Sequence, residues 1–160
     1  MNSKELDKVI ATAKAEVGTK ELPVNKTKYG KWYGLDGQPW CAMFVSWCFN
    51  QAGAIKLINQ SPKGYAGCES FEVWAKGKGL TVPVAQVQAG DILLFDFNHA
   101  GKAEHTGLTL GYNKNTHLID TVEGNTAGDN TGSQANGDGV YLKHRAPSTV
   151  RTVIRPKWEN

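Results

Sequence analysis

The run Pro39-Trp40-Cys41-Ala42-Met43-Phe44-Val45-Ser46-Trp47-Cys48-Phe49 carries one polar side chain, Ser46, and constrains the fold more than any other stretch. It ends at Asn50-Gln51-Ala52-Gly53, where a glycine can take the left-handed conformation that closes a helix. Pro39 suits a first helical position, since its missing N–H would have no partner there. A helix that is apolar on nearly every face must be covered on all sides, and this one is too short to span a bilayer. The spacing places Cys41 in the first turn, where unpaired N–H groups and the helix dipole favour a thiolate. A buried core cysteine would look the same in sequence, because free cysteine is among the most buried residue types.

The 160 residues suffice for one well-packed domain, and we expect residues 1–160 to form a single unit. Hydrophobic content of 40% and a net charge of +3 describe an ordinary globular chain. Lys and Arg are scattered, with some enrichment between residues 143 and 157, so no basic stripe for nucleic acid is present. Three cysteines without a CxxC pair suggest neither a disulfide framework nor a structural zinc site. Cys41 and Cys48 would stand about 10.5 Å apart along one helix, too far to pair. The charged start, Met1-Asn2-Ser3-Lys4-Glu5, has no apolar signal core. We therefore expect synthesis in a reducing cytosol, with another agent carrying the protein to any external target.

Residues 3–17 read as a helix, with Leu6, Val9, Ile10, Ala13 and Val17 at the helical period. Asn2 and Glu5 have capping-box spacing and Gly18 marks the stop. Residues 19–38 read as a long loop leading to Cys41, and its aromatic residues argue against disorder. A second helix is expected over residues 68–76. The period then changes, and strands are expected over 91–97, 105–110, 116–123, 140–145 and 150–155. A glycine- and asparagine-rich loop spans 124–139. Helices first and strands after predict an α+β domain with an antiparallel sheet.

A cysteine nucleophile needs a base, and the base needs an orienting group. Of the histidines, His105 opens a strand in Glu104-His105-Thr106-Gly107-Leu108, and the small Gly107 leaves space beside its imidazole. Glu123 and Asn125 bracket Gly124 at the end of the next strand, and a hairpin pairing would bring Glu123 near His105. His99, His117 and His144 read as surface or structural residues, and Cys48 and Cys68 as core. Trp47 and Trp74 read as core packing.

At this point the sequence resembles a family. The segment Gly34-Leu35-Asp36-Gly37-Gln38-Pro39-Trp40-Cys41-Ala42-Met43-Phe44-Val45-Ser46-Trp47-Cys48 is similar to the nucleophile segment of CHAP domains, the cysteine- and histidine-dependent amidohydrolases/peptidases. Ala89-Gly90-Asp91-Ile92-Leu93-Leu94-Phe95 resembles their first core strand, Glu104-His105-Thr106-Gly107-Leu108 their histidine strand, and Glu123-Gly124-Asn125-Thr126 the turn with their remaining active-site residues. The resemblance implies a papain-like (NlpC/P60-type) α+β fold, with N-terminal helices packed on an antiparallel sheet. It also implies hydrolysis of peptidoglycan, with Cys41 as nucleophile, His105 as base, Glu123 orienting His105, and Asn125 in support.

The expected protein is thus an endolysin-type wall hydrolase, an N-acetylmuramoyl-L-alanine amidase or an endopeptidase. A host or virion-associated wall-remodelling hydrolase is the rival with the same chemistry, and a non-catalytic wall-binding module is the rival without it. The partner implied is bacterial peptidoglycan, met by a monomer that inserts into no membrane and binds no nucleic acid. Trp32 and Trp40 are expected to line the substrate groove, and Gln38 or Tyr33 to supply a second oxyanion donor beside the Cys41 N–H. Some CHAP relatives bind calcium through several acidic residues before the cysteine. Here that loop offers only Asp36, and neither Gly128-Asp129-Asn130 nor Asn136-Gly137-Asp138 has EF-hand spacing, so no metal is expected.

Overall fold

The apolar run folds as helix α3, Cys41–Gln51, in a computed structural model that describes residues 3–130 and 132–158. From Cys41 to Phe49 every residue is buried except Trp47, which is half-buried against the core. The cover comes from four elements: α1 (Lys4–Ala15), α2 (Lys28–Tyr33), β3 (His105–Asn113) and β4 (Leu118–Thr126) all pack on α3. Tyr29 of α2 lies at the centre of an aromatic group, with ring centroids 5.5 Å from Trp40, 5.1 Å from Phe44 and 5.1 Å from Trp47.

Several boundaries differ from the sequence expectation for local reasons. Helix α3 begins at Cys41 with Trp40 as its N-cap, so Pro39 lies outside the helix and not at its first position. Helix α1 is capped by Ser3, whose hydroxyl accepts from the Leu6 N–H, while the expected cap Asn2 lies outside the described residues. The expected loop 19–38 contains α2. Thr27 starts that helix by accepting from the Gly30 N–H, and Gly34 ends it at φ +95°. Six residues are too few to show a helical period in sequence.

Helix α4, Cys68–Gly77, follows, with Phe71 stacked 3.7 Å from Tyr65 and 5.4 Å from Trp74. The remaining strands are β1 (Thr81–Val82), β2 (Ile92–Phe95), β5 (Gly139–Arg145) and β6 (Val150–Ile154). They join β3 and β4 in one sheet of order β1-β6-β2-β3-β4-β5, and every neighbouring pair is antiparallel. The α+β architecture is the one expected. β1 was not expected, and β3 and β4 each run three residues beyond their expected ends. Alternation along β2 splits the sheet into two faces. Ile92 and Leu94 join the helical core with Leu108 and Val122, whereas Leu93 and Phe95 form a second cluster with Ile119, Val150 and Val153. No helix among the described residues is long and apolar enough to cross a membrane.

Ser46, the lone polar residue of the run, is fully buried, and its hydroxyl donates to the Tyr65 carbonyl at 2.8 Å and accepts from the Tyr65 N–H at 2.9 Å. It thereby fixes the segment between α3 and α4 without leaving a backbone group orphaned. Ser46→Ala should lower stability by about 1–3 kcal/mol, read from denaturant unfolding, because a buried N–H and carbonyl lose their partner. An unchanged unfolding midpoint would show that the Tyr65 backbone finds another partner.

Candidate active site

Cys41 is the first residue of α3, and no side chain caps that helix start. Its sulfur lies close to the Ala42 N–H, the Cys68 thiol and His105, and the residue is 7% exposed. The backbone approach that allows this is tight. A Cβ at Gly124 of β4 would stand 2.7 Å from the Trp40 ring and 2.8 Å from Phe44 Cβ, so only glycine lets β4 lie against the first turns of α3.

His105 opens β3, paired with Phe95 of β2, and is fully buried. The rings of Phe95 and Phe97 lie beside its imidazole, each with its centroid at 5.8 Å. Its Nε2 is 2.9 Å from Glu123 Oε1. Its Nδ1 has no hydrogen-bond partner of good geometry within the protein, which leaves that nitrogen as the one turned to the Cys41 thiol.

Glu123 is also fully buried, and its two oxygens are saturated. Oε1 receives His105 Nε2 and, at 2.6 Å, Arg145 Nη2. Oε2 receives Arg145 Nε at 2.9 Å and the Thr121 hydroxyl at 2.6 Å. The register explains how Glu123 reaches the histidine. Leu108 pairs with Val122, so Glu123 lies across from Gly107, and its side chain runs over that glycine to His105. A Cβ at Gly107 would collide with Glu123 Cγ, so the space this glycine leaves belongs to the carboxylate. Immediately after Glu123 the β4–β5 register shifts in a bulge that ends at Thr126. Within the bulge Asn125 takes φ +56°, fully buried, with both its amide oxygen and nitrogen unpartnered.

The electrostatics follow from these contacts. The bond from Cys68 holds the Cys41 thiol well below its ordinary range; burial opposes this, and His105 and the Ala42 N–H reinforce it. Cys68 is pushed up by the same bond and by burial. Burial alone would lower His105, but its interactions with Cys41 and Glu123 outweigh it and raise the imidazole to about 9. Burial alone would raise Glu123, but Arg145 and His105 together bring it down to about 2. These shifts all favour a thiolate–imidazolium pair backed by a carboxylate and a guanidinium.

Cys41 opens into a cleft of about 470 Å³, lined among others by Pro39, Gly67, Cys68, Lys102 and Glu104. Cys68, expected in the core, is half-buried on this cleft because it is the first residue of α4. Trp40, expected to line the groove, is fully buried: its ring stacks on Tyr29 and its Nε1 donates to Glu21 at 3.0 Å, which leaves no face for a sugar. Trp32 and Tyr33 are half-buried beside residues 61–63. The Tyr33 hydroxyl shares a 3.3 Å hydrogen bond with Ser61, and Lys63 donates to the Trp32 carbonyl. Gln38 is exposed in the turn before Pro39. None of these four lines the cleft. Among the other histidines, His144 pairs with Asp120 and His117 with Tyr112, both at exposed positions. Arg145 is the residue that sequence reasoning missed. Only the β4–β5 register reveals that its side chain meets Glu123.

Iodoacetamide at neutral pH should modify Cys41 first, Cys68 more slowly and Cys48 last, as read by peptide mass mapping. Burial pushes the Cys48 thiol well up, and the residue is 1% exposed. Preferential labelling of Cys48 or Cys68 would contradict the thiolate assignment.

No curated protein matches this chain. The family model for the CHAP domain matches residues 32–125, a span that contains Cys41, Cys68, His105, Glu123 and Asn125. That family comprises amidase and peptidase hydrolases of peptidoglycan. With its antiparallel sheet, covered apolar helix and matched segment, the chain belongs to the CHAP domain family.

Proposed function

We propose that this chain is an endolysin-type hydrolase that cuts an amide bond of the bacterial wall through Cys41, acting as a monomeric catalytic unit. The observation that carries the reading is the buried, connected row from Cys41 through His105 to Glu123. The Cys41 thiolate attacks the carbonyl carbon of a wall amide. The Cys41 N–H precedes the intrahelical ladder and is the natural first donor to the oxyanion. The buried Asn125 amide, with both polar atoms unpaired, is the supporting polar residue beside this row. Imidazolium at His105 then gives its proton to the leaving amine. Neutral His105 next takes a proton from the water that cleaves the thioester. Glu123 holds the ring in place and favours its charged form throughout.

The first test is clearance of purified walls, with the released fragments identified by mass spectrometry. His105→Ala should abolish clearance while the protein stays folded, and Glu123→Gln should retain more activity than Glu123→Ala, because an amide oxygen can still accept from the ring. In the wild type, activity should hold across neutral pH. It should fall above about 9, where His105 loses its proton, and fall in acid, where Cys41 gains one. Wild-type clearance by His105→Ala would overturn the assignment. New amino termini within the wall peptide would identify an endopeptidase, and free muramoyl carboxyl groups an amidase.

A second test concerns calcium. Asp36, the one acidic residue in the loop before Cys41, accepts from the Thr27 and Gly37 N–H groups through Oδ1 and so helps to hold that loop. Among the described residues no group of three or more His, Cys, Asp or Glu side chains is placed to hold a metal ion. EDTA should therefore leave most of the activity in place. Loss of activity with EDTA that calcium restores would overturn this expectation.

A further inference from the structure

Arg145 lies on β5, is 6% exposed, and sends every arm of its guanidinium to a defined partner. Nε and Nη2 grip the two oxygens of Glu123 at 2.9 and 2.6 Å. Nη2 also reaches the Thr126 hydroxyl at 3.2 Å, and Nη1 donates to Gln134 Oε1 at 2.9 Å. The cation stands 4.8 Å from the Phe97 ring centroid and 5.6 Å from that of Phe95, the same two rings that flank His105. The imidazole and the guanidinium are thus held by one aromatic pair and one carboxylate.

This arrangement solves a problem posed by the His105–Glu123 contact. A carboxylate buried with imidazolium as its only partner has an escape: the proton can cross to it, leaving acid and neutral ring. The cysteine would then face a neutral imidazole and lose the cation that reinforces its thiolate. A guanidinium cannot give up its proton and presents two parallel N–H groups to a carboxylate. We propose that Arg145 is a positioning residue of the hydrolytic site, which keeps Glu123 ionised and fixed in rotation so that His105 stays charged against Cys41. It touches neither substrate nor the reacting atoms. The inference rests on the cysteine-hydrolase reading, but its central readout needs no substrate.

The test compares wild type with Arg145→Ala and Arg145→Lys. In each protein the pH dependence of iodoacetamide labelling at Cys41 is measured, together with wall clearance. For Arg145→Ala the labelling midpoint should move up towards the ordinary thiol range, and clearance should fall on the order of a hundredfold, as for other misplaced catalytic groups. Guanidinium chloride below its denaturing range should recover part of both properties by filling the vacated site. Urea, similar in shape but uncharged, should recover neither. Arg145→Lys keeps a charge but cannot span both oxygens. It should hold the labelling midpoint near that of wild type while kcat falls about tenfold at unchanged KM.

A folded Arg145→Ala protein with the wild-type midpoint would overturn the proposal, as would equal rescue by guanidinium and urea. Should Arg145→Ala fail to fold, Arg145→Lys decides, and wild-type kcat in that variant overturns the proposal. If the wild-type protein cleaves no wall amide, the hydrolase reading fails. The labelling midpoints would still report whether Arg145 sets the ionisation of the row.

Discussion

A helix with no solvent face has to be enclosed, and the enclosure of α3 organises everything else. Because Cys41–Phe49 offers apolar surface all round, α1, α2 and the sheet must each present a face to it. Enclosure leaves one part of the helix free to act, its first turn, where the backbone N–H groups have no intrahelical partner. The chain spends no capping side chain there. What satisfies that end is the cysteine sulfur, held by the Ala42 N–H, and the polar groups gathered around it.

The second constraint is charge in a dry place. His105 and Glu123 are both fully buried, a costly arrangement unless each ionised atom is paired. The strands meet the cost with a closed set of donors: Thr121 from the same strand, Arg145 from the next, His105 from the previous one. Two aromatic rings exclude water from the assembly. Each group's ionisation therefore depends on the others, which is how an imidazole at about 9 and a carboxylate at about 2 coexist within hydrogen-bonding distance.

Much of this was legible in the sequence, and the gaps have physical causes. The helix that begins at Cys41, the two central strands and the closeness of His105 and Glu123 follow from local signals: an unbroken apolar run, alternation and a hairpin. In sequence Arg145 is only the end of a strand in a basic stretch. Its role depends on register between β4 and β5 across a long loop, and no local pattern encodes that register. Trp40 misled for the opposite reason. Tryptophan beside a nucleophile suits a sugar platform, yet here its ring is the floor of the core, set by contacts to Tyr29 and Glu21 from residues far upstream. Cys68 was hidden because the meeting of two helix starts, 27 positions apart in the chain, is a tertiary fact.

The bulge after Glu123 bears on how the sheet finds its pairing. Side chains on a strand alternate between faces, so a hairpin that slips by one position sends its whole polar set to the wrong side. For β4 against β5 such a slip would place Glu123 and Arg145 on opposite faces, breaking their ion pair and leaving the guanidinium without its carboxylate, a costly error for a buried charge. The out-of-step residues from Gly124 to Thr126 occur at one place only along the β4–β5 ladder. Mispaired sheets are thus penalised by the same ion pair that stands behind His105, and that pair doubles as a registration key for folding.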